Sequence, residues 1–342
     1  MSYTWNYIKK NPKQTKRLVG INHEQLSQLI EQAKLLHHQH QEKIQNQKVR
    51  LIKPGGGASQ KLSIEDQIVL TLIYLRHHIN FQLLGLQFQV SESTANSTFN
   101  YWQSLFREAL PASLLEQVKK CEEESDIIRE ALTEYELIVD SAEQVRERPK
   151  DYNQQKNFYS GKKKNHTFKN QFIVLPKGED IVDVVVGKPG TKSDINICRE
   201  RLAKFDDKQR LSGDKAYLEV RPVANLIRQR KAHLREPQIR TPHKKPKNGE
   251  LTPQQKKDNK LFSSNRIFVE HVIRLVKIFK IAGERFRLNS SKYSQVILTI
   301  CGLVRLRTGA LVLQVIKASE SPETIEVVSA HTFGSKLTSI AS

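Results

Sequence analysis

Three carboxylates are set apart by their neighbours: Asp140, Asp214 and Glu270. Glu270 follows Arg266 by four residues and precedes Arg274 and Lys277 by four and seven, all within a run of helical periodicity. An acid among three cations is either part of a solvated, salt-bridged face or an acid held in a DNA-binding cleft. Asp140 closes the apolar run Tyr135-Glu-Leu-Ile-Val-Asp140, and Asp214 closes Arg210-Leu-Ser-Gly-Asp214. Both read as short strands ending in an acid, although an Asp at a strand end often does no more than start a turn. Gly213 lets the backbone turn tightly there. Glu143 and Asp194 are competing acids, because spacing in sequence does not fix separated acids in space.

The elements that must position these acids are legible around them. Thr252, Pro253 and Gln255 form a capping signature for the helix bearing Glu270, and Gly283 is a natural stop. Phe268, Val272, Leu275, Val276 and Phe279 make one apolar stripe along it. Glu270 lies about 200° around from Phe268 at about 100° per residue, off that stripe. His166 to Leu175 and Ile181 to Val186 read as an antiparallel hairpin around Pro176-Lys-Gly-Glu-Asp180, and Asp194 to Lys204 as a helix. Residues 228 to 260 form a basic, proline-broken segment. Before the hairpin, Phe158-Tyr-Ser-Gly-Lys162-Lys163-Lys164 interleaves aromatics with lysines. That pattern suits a strand gripping phosphates while rings stack on bases, or else a plainly solvated face.

Upstream, residues 1 to 58 are a polar helical segment and linker, with a short stripe at Leu26, Leu29, Ile30, Ala33 and Leu36. The run His37-His38-Gln39-His40 lacks a completing Cys or acid and is not expected to bind metal. Pro54-Gly55-Gly56-Gly57 lacks the Gly-Lys-Ser/Thr ending of a phosphate-binding loop. From Ser63 three helices follow. The second spans about Phe81 to Phe88, and the third is capped by Ser91 and runs through Phe99, Trp102 and Leu105. Two helices on a tight turn make a helix-turn-helix pattern over 59 to 112, with Ser91, Ser93, Asn96, Ser97 and Asn100 as DNA-contacting candidates. A plain three-helix bundle is the alternative. Residues 113 to 131 read as a linker helix.

At 342 residues the chain is long enough for a sizeable core and two domains. Its formal charge of +20 argues for a polyanionic partner. No apolar run is long enough to span a membrane, and the N-terminus carries no signal pattern. Cys121, Cys198 and Cys301 are distant and odd in number, as in a reducing cytoplasm, and exclude a cysteine-based zinc site.

The spacing Arg266-x3-Glu270-x6-Lys277 resembles the signature around the catalytic glutamate of bacterial insertion-sequence DDE transposases, the group related to Harbinger-type transposases. Ser263 stands where that signature has a Tyr. The string Tyr159-Ser-Gly-Lys-Lys-Lys-x-His166-Thr resembles the same group, as do Gly213-Asp214-Lys-x-Tyr217 and the helix-turn-helix. The resemblance covers roughly residues 60 to 310 and implies an α/β, ribonuclease-H-like catalytic domain over 132 to 318, preceded by the all-α helix-turn-helix domain and followed by a tail at 319 to 342. It implies Asp140, Asp214 and Glu270 as catalytic and metal-binding residues, with two Mg²⁺ ions (Mn²⁺ as substitute) for in-line phosphodiester chemistry. Arg266, Lys277 and Lys162 to Lys164 are then expected at the DNA, together with Ser91, Ser93, Asn96 and Asn100. The expected activity is cutting at the inverted repeats of the element and joining of 3′-OH groups to target DNA, in the bacterial cytoplasm at the nucleoid, as a homodimer or higher oligomer. The alternatives are a helix-turn-helix regulator with an inactive nuclease-like body, and a structure-specific endonuclease of the same fold.

Overall fold

The computed structural model describes residues 3–47, 60–120, 122–217, 238–246 and 249–313. The expected linker at 54–57, residues 228–237 of the basic segment, and the tail lie outside them. Helices α1 (Tyr3–Lys10), α2 (Thr15–Val19) and α3 (His23–Gln47) open the chain. The stripe Leu26, Leu29, Ile30 and Ala33 is buried, and α3 rests on α4 (Ile64–His77) and α6 (Glu92–Ala109), with α5 (Phe81–Phe88) between those two in sequence. His37 stacks on Trp102, and its Nδ1 lies 2.7 Å from the Tyr101 hydroxyl, so packing absorbs it.

The three expected helices start on side-chain caps. Ser63, Asn80 and Ser91 accept from the backbone N–H of Asp66, Leu83 and Thr94. Between α5 and α6 the chain turns so tightly that a Cβ on Gly85 would lie 2.7 Å from the Val90 carbonyl oxygen.

Helices α7 (Leu114–Gln117) and α8 (Glu122–Leu132) lead into the sheet. Its strands are β1 (Glu136–Val145), β2 (Tyr159–Ser160), β3 (Asn165–Val174), β4 (Ile181–Pro189), β5 (Arg210–Ser212) and β6 (Gln238–Arg240). β3 pairs antiparallel with β1 on one side and with β4 on the other, while β1, β5 and β6 run parallel. With α9 (Tyr152–Phe158), α10 (Asp194–Leu202), α11 (Pro253–Lys277), α12 (Lys280–Gly283) and α13 (Tyr293–Thr308), this is the ribonuclease-H-like arrangement behind an all-α region.

Several expected boundaries move: β5 ends at Ser212 rather than at Asp214, β4 runs on past Val186 to Pro189, and α10 ends at Leu202 rather than Lys204. β1 does not end at Asp140 but continues to Val145, because β3 goes on pairing with it from Asp140↔Phe172 to Val145↔Thr167. Its parallel partner β5 stops at Ile138↔Ser212, so β1 beyond that register has no β5 neighbour. The helix bearing Glu270 ends at Lys277 rather than at Gly283. Phe279 turns extended, and its ring sits where a Cβ on Gly20 (φ +92°) would be, 2.6 Å away. Gly283 closes only the single turn α12.

One sheet face packs Leu137 and Val139 against α7, α8 and α10. The other packs Ile138 and Phe172 with α11, α13 and the N-terminal helices in a continuous core. Gly178 (φ +69°) lets the β3–β4 turn press against α11, where a Cβ would lie 3.0 Å from the Phe268 carbonyl oxygen. Arg305 on α13, fully buried, joins the two halves. Its Nε donates to Asp180 Oδ1 at 2.6 Å, its Nη1 to the Pro111 carbonyl at 3.0 Å and its Nη2 to Gln117 at 2.9 Å.

Candidate active site

Asp140 sits on β1 just past the parallel register, where the strand edge opens into a cleft of about 460 Å³. Strand alternation sends Asp140 toward α11 and its neighbours Ser141 and Glu143 toward the α10 side. On the α11 side, Arg266 Nη2 lies 3.7 Å from Asp140 Oδ2 and 3.3 Å from Glu270 Oε1, bridging the two acids. Asp140 Oδ1 also accepts from the Ser141 N–H at 2.8 Å. Asp214 lies in the turn after β5, where its Oδ1 accepts from the Ala216 N–H at 2.7 Å.

Burial pushes the Asp140 carboxyl above its ordinary range, and the charges of Asp214 and Glu270 push the same way against the Ser141 N–H and Arg266. Lys277 lines the same cleft and is exposed. Burial and then Lys163 lower its pKa, while Asp140 pulls it up.

Asp140, Glu270, Lys162, Lys163 and Lys277 line the cleft; Asp214 and Lys164 do not. Lys164 takes the φ +51° turn position and is exposed. Phe158, expected near bases, instead packs edge-to-face on Phe168, and the Arg146 guanidinium lies 4.2 Å and 4.3 Å from the two rings. Tyr159 stays half-exposed against His166.

The competing acids have partners of their own. Glu143 accepts from the Thr167 hydroxyl at 2.9 Å, and Asp194 Oδ1 lies 3.1 Å from the buried Lys169 ammonium. Among the described residues, no three His, Cys, Asp or Glu side chains are grouped so that they could hold a metal ion. Arg266 occupies the space between Asp140 and Glu270. The donor chemistry nevertheless suits a hard divalent cation: all three acids offer carboxylate oxygens, and Glu270, more than half exposed, has room to turn.

In the helix-turn-helix, Ser93, Asn96 and Ser97 are exposed on the first two turns of α6. Ser91 is also exposed, but its oxygen caps the helix. Asn100 is half-buried, accepting from Lys292 at 2.5 Å and donating to Asn96 at 2.6 Å. Farther along, α6 packs on α13. Sequence reasoning gave no role to Lys169 or to Tyr217, although Tyr217 stands in the singled-out string Gly213-Asp214-Lys-x-Tyr217.

A mixed sheet with acids beside a cleft, behind a helix-turn-helix, is the architecture of the DDE class of DNA-acting proteins. The model for the DDE superfamily endonuclease matches residues 139–305, and the model for the helix-turn-helix of DDE superfamily endonuclease matches residues 60–112. The chain belongs to this DDE family of transposases. It is 30% identical over 235 residues to "Probable transposase for insertion sequence element IS702" of Microchaete diplosiphon, covering 69% of this chain and 77% of that relative. Two solved structures are also similar. The Mos1 transposase paired-end complex with left transposon end is 10% identical, covering 74% of this chain and 88% of that one, at a TM-score of 0.19. A pre-cleavage Mos1 transpososome is 12% identical, with coverage of 81% and 86% and a TM-score of 0.22. No helix among the described residues is long and apolar enough to cross a membrane.

Proposed function

We propose that this chain binds the terminal inverted repeats of its own element, cuts the DNA there and joins the freed 3′-OH groups to target DNA. The observation that supports this reading is a cleft lined by Asp140, Glu270, Lys162, Lys163 and Lys277, with Asp214 in the turn after the neighbouring strand β5. These three carboxylates would hold two divalent cations, Mg²⁺ or Mn²⁺, which when bound activate the attacking oxygen and stabilise the leaving one. The protein supplies the rest. β1 fixes Asp140, and the lysines bind phosphates on either side of the cut. Arg266 releases the acids and becomes free for a phosphate. The exposed start of α6 reads the repeat. Holding two ends together implies at least a homodimer, acting in the bacterial cytoplasm at the nucleoid.

A second reading, a DNA-binding regulator with an inert nuclease-like body, is favoured by Arg266 neutralising two of the acids. Incubation with the flanking repeats and Mg²⁺ or Mn²⁺, scoring binding, cutting and joining, separates the two. Binding without cutting under either ion supports the regulator and removes the transposase reading, and cutting that never joins points to a structure-specific endonuclease.

A further inference from the structure

The turn that carries Asp214 is held by a residue outside the acid set. Tyr217 is buried, and its ring lies over the backbone of Gly213, where a Cβ would be 2.8 Å from Cδ2. A Phe would fill that space equally well. The hydroxyl is what needs explaining, since a buried phenol is stable only with partners. It shares a hydrogen bond with the Ser141 hydroxyl at 3.0 Å and accepts from Gln171 Nε2 at 3.0 Å. Ser141 is the residue after Asp140, and Gln171 is its partner on β3. Gln171 Nε2 also lies 2.9 Å from the Asp194 carbonyl, tying in the start of α10.

The turn itself is closed on Asp214. The Tyr217 N–H donates to the Asp214 carbonyl at 3.1 Å, and the Ala216 N–H to its carboxylate at 2.7 Å. On the far side the Gly213 N–H donates to the Arg240 carbonyl on β6 at 3.0 Å. β5 stops pairing with β1 at Ser212, so backbone pairing between β1 and β5 no longer sets the spacing of the two aspartates. The Tyr217–Ser141 bond spans that gap.

We propose that Tyr217 is a positioning residue whose hydroxyl, through Ser141, fixes the Asp214 turn against the strand bearing Asp140 so that the two carboxylates can share divalent cations. This rests on the metal-dependent reading above. Its test is Mn²⁺ binding to the full chain without DNA, followed by electron paramagnetic resonance, for wild type, Tyr217→Phe, Ser141→Ala and the double variant. Melting temperature and the Mg²⁺ dependence of end cutting are recorded alongside.

Either single variant should bind Mn²⁺ about tenfold more weakly, a loss usual for groups that orient metal ligands. Each should need correspondingly more Mg²⁺ for half-maximal cutting, with the maximal rate regained at saturation and melting unchanged. The double variant should be no worse than either single one, because both remove the same bond. Equal Mn²⁺ binding by wild type and Tyr217→Phe, additive losses in the double variant, or a loss matched by a fall in melting temperature overturns the inference alone. A wild type that neither binds Mn²⁺ nor cuts overturns both the inference and the reading it rests on.

Discussion

Replacing Lys162 and Lys163 with Gln should make DNA binding less sensitive to salt by a calculable amount. Both side chains line the cleft beside Asp140, and Lys163 lies near enough to Lys277 to lower its pKa. Lys164, next in sequence, is exposed at a turn and lines no part of the cleft. The cluster of three is therefore expected to supply two phosphate contacts. Each contact contributes about 0.9 to the slope of log K against log[salt] on duplex, so the double variant should lose about 1.8. The wild type's advantage in affinity should then grow about twelvefold between about 200 mM and about 50 mM salt. The loss should be the same on repeat and scrambled duplexes, since phosphates carry no direct sequence information. The assay is a salt titration of wild type, Lys162→Gln/Lys163→Gln and Lys164→Gln by fluorescence anisotropy. Parallel slopes for wild type and the double variant would mean that the cleft lysines do not meet DNA. An equal effect from Lys164→Gln would mean that cleft position does not decide which lysines bind.

Asp140→Ala, Asp214→Ala and Glu270→Ala should each abolish cutting while leaving repeat binding within a few-fold in gel shifts; a variant that cuts normally takes its residue out of the site. In the helix-turn-helix, Ser93→Ala with Asn96→Ala should weaken repeat binding without altering melting. Ser91→Ala should instead cost about 1 kcal/mol of stability as a lost cap, read by urea unfolding. Arg305→Met leaves the Asp180 carboxylate buried without its partner and should destabilise the chain by about 3–5 kcal/mol; a loss under about 1 kcal/mol would mean the junction is not held there. His37, His77 and His78 all have pKa values lowered chiefly by burial. The unfolded chain then takes up protons first, so their stabilisation is present above pH about 6.5 and is lost as pH falls below it. Melting temperatures near pH 7.5 and pH 5.5 check the sign, and a higher value at the acid end would contradict it.

The local elements were legible because their signals are local. Ser63, Ser91 and Thr252 cap the helices that the sequence assigned to them, since a cap needs only an oxygen three residues from a backbone N–H. The apolar stripe of α3 and the hairpin of β3 and β4 follow from periodicity in the same way. What sequence could not fix was where pairing stops. Whether β1 ended at Asp140 or ran on to Val145 depended on β3, whose register is set by residues about thirty positions away. The end of α11 depended on Phe279 finding the space left by Gly20, more than 250 residues upstream in the chain. Family resemblance suggested which acids belong together, but only the tertiary structure placed Asp140 and Glu270 in one cleft and Asp214 in a turn outside its lining. It alone placed Arg266 between two of them, Lys164 outside the cleft and the Tyr217 hydroxyl against Ser141. Such pairings are set by the packing of the sheet between its helix layers, and no short window of sequence carries that information.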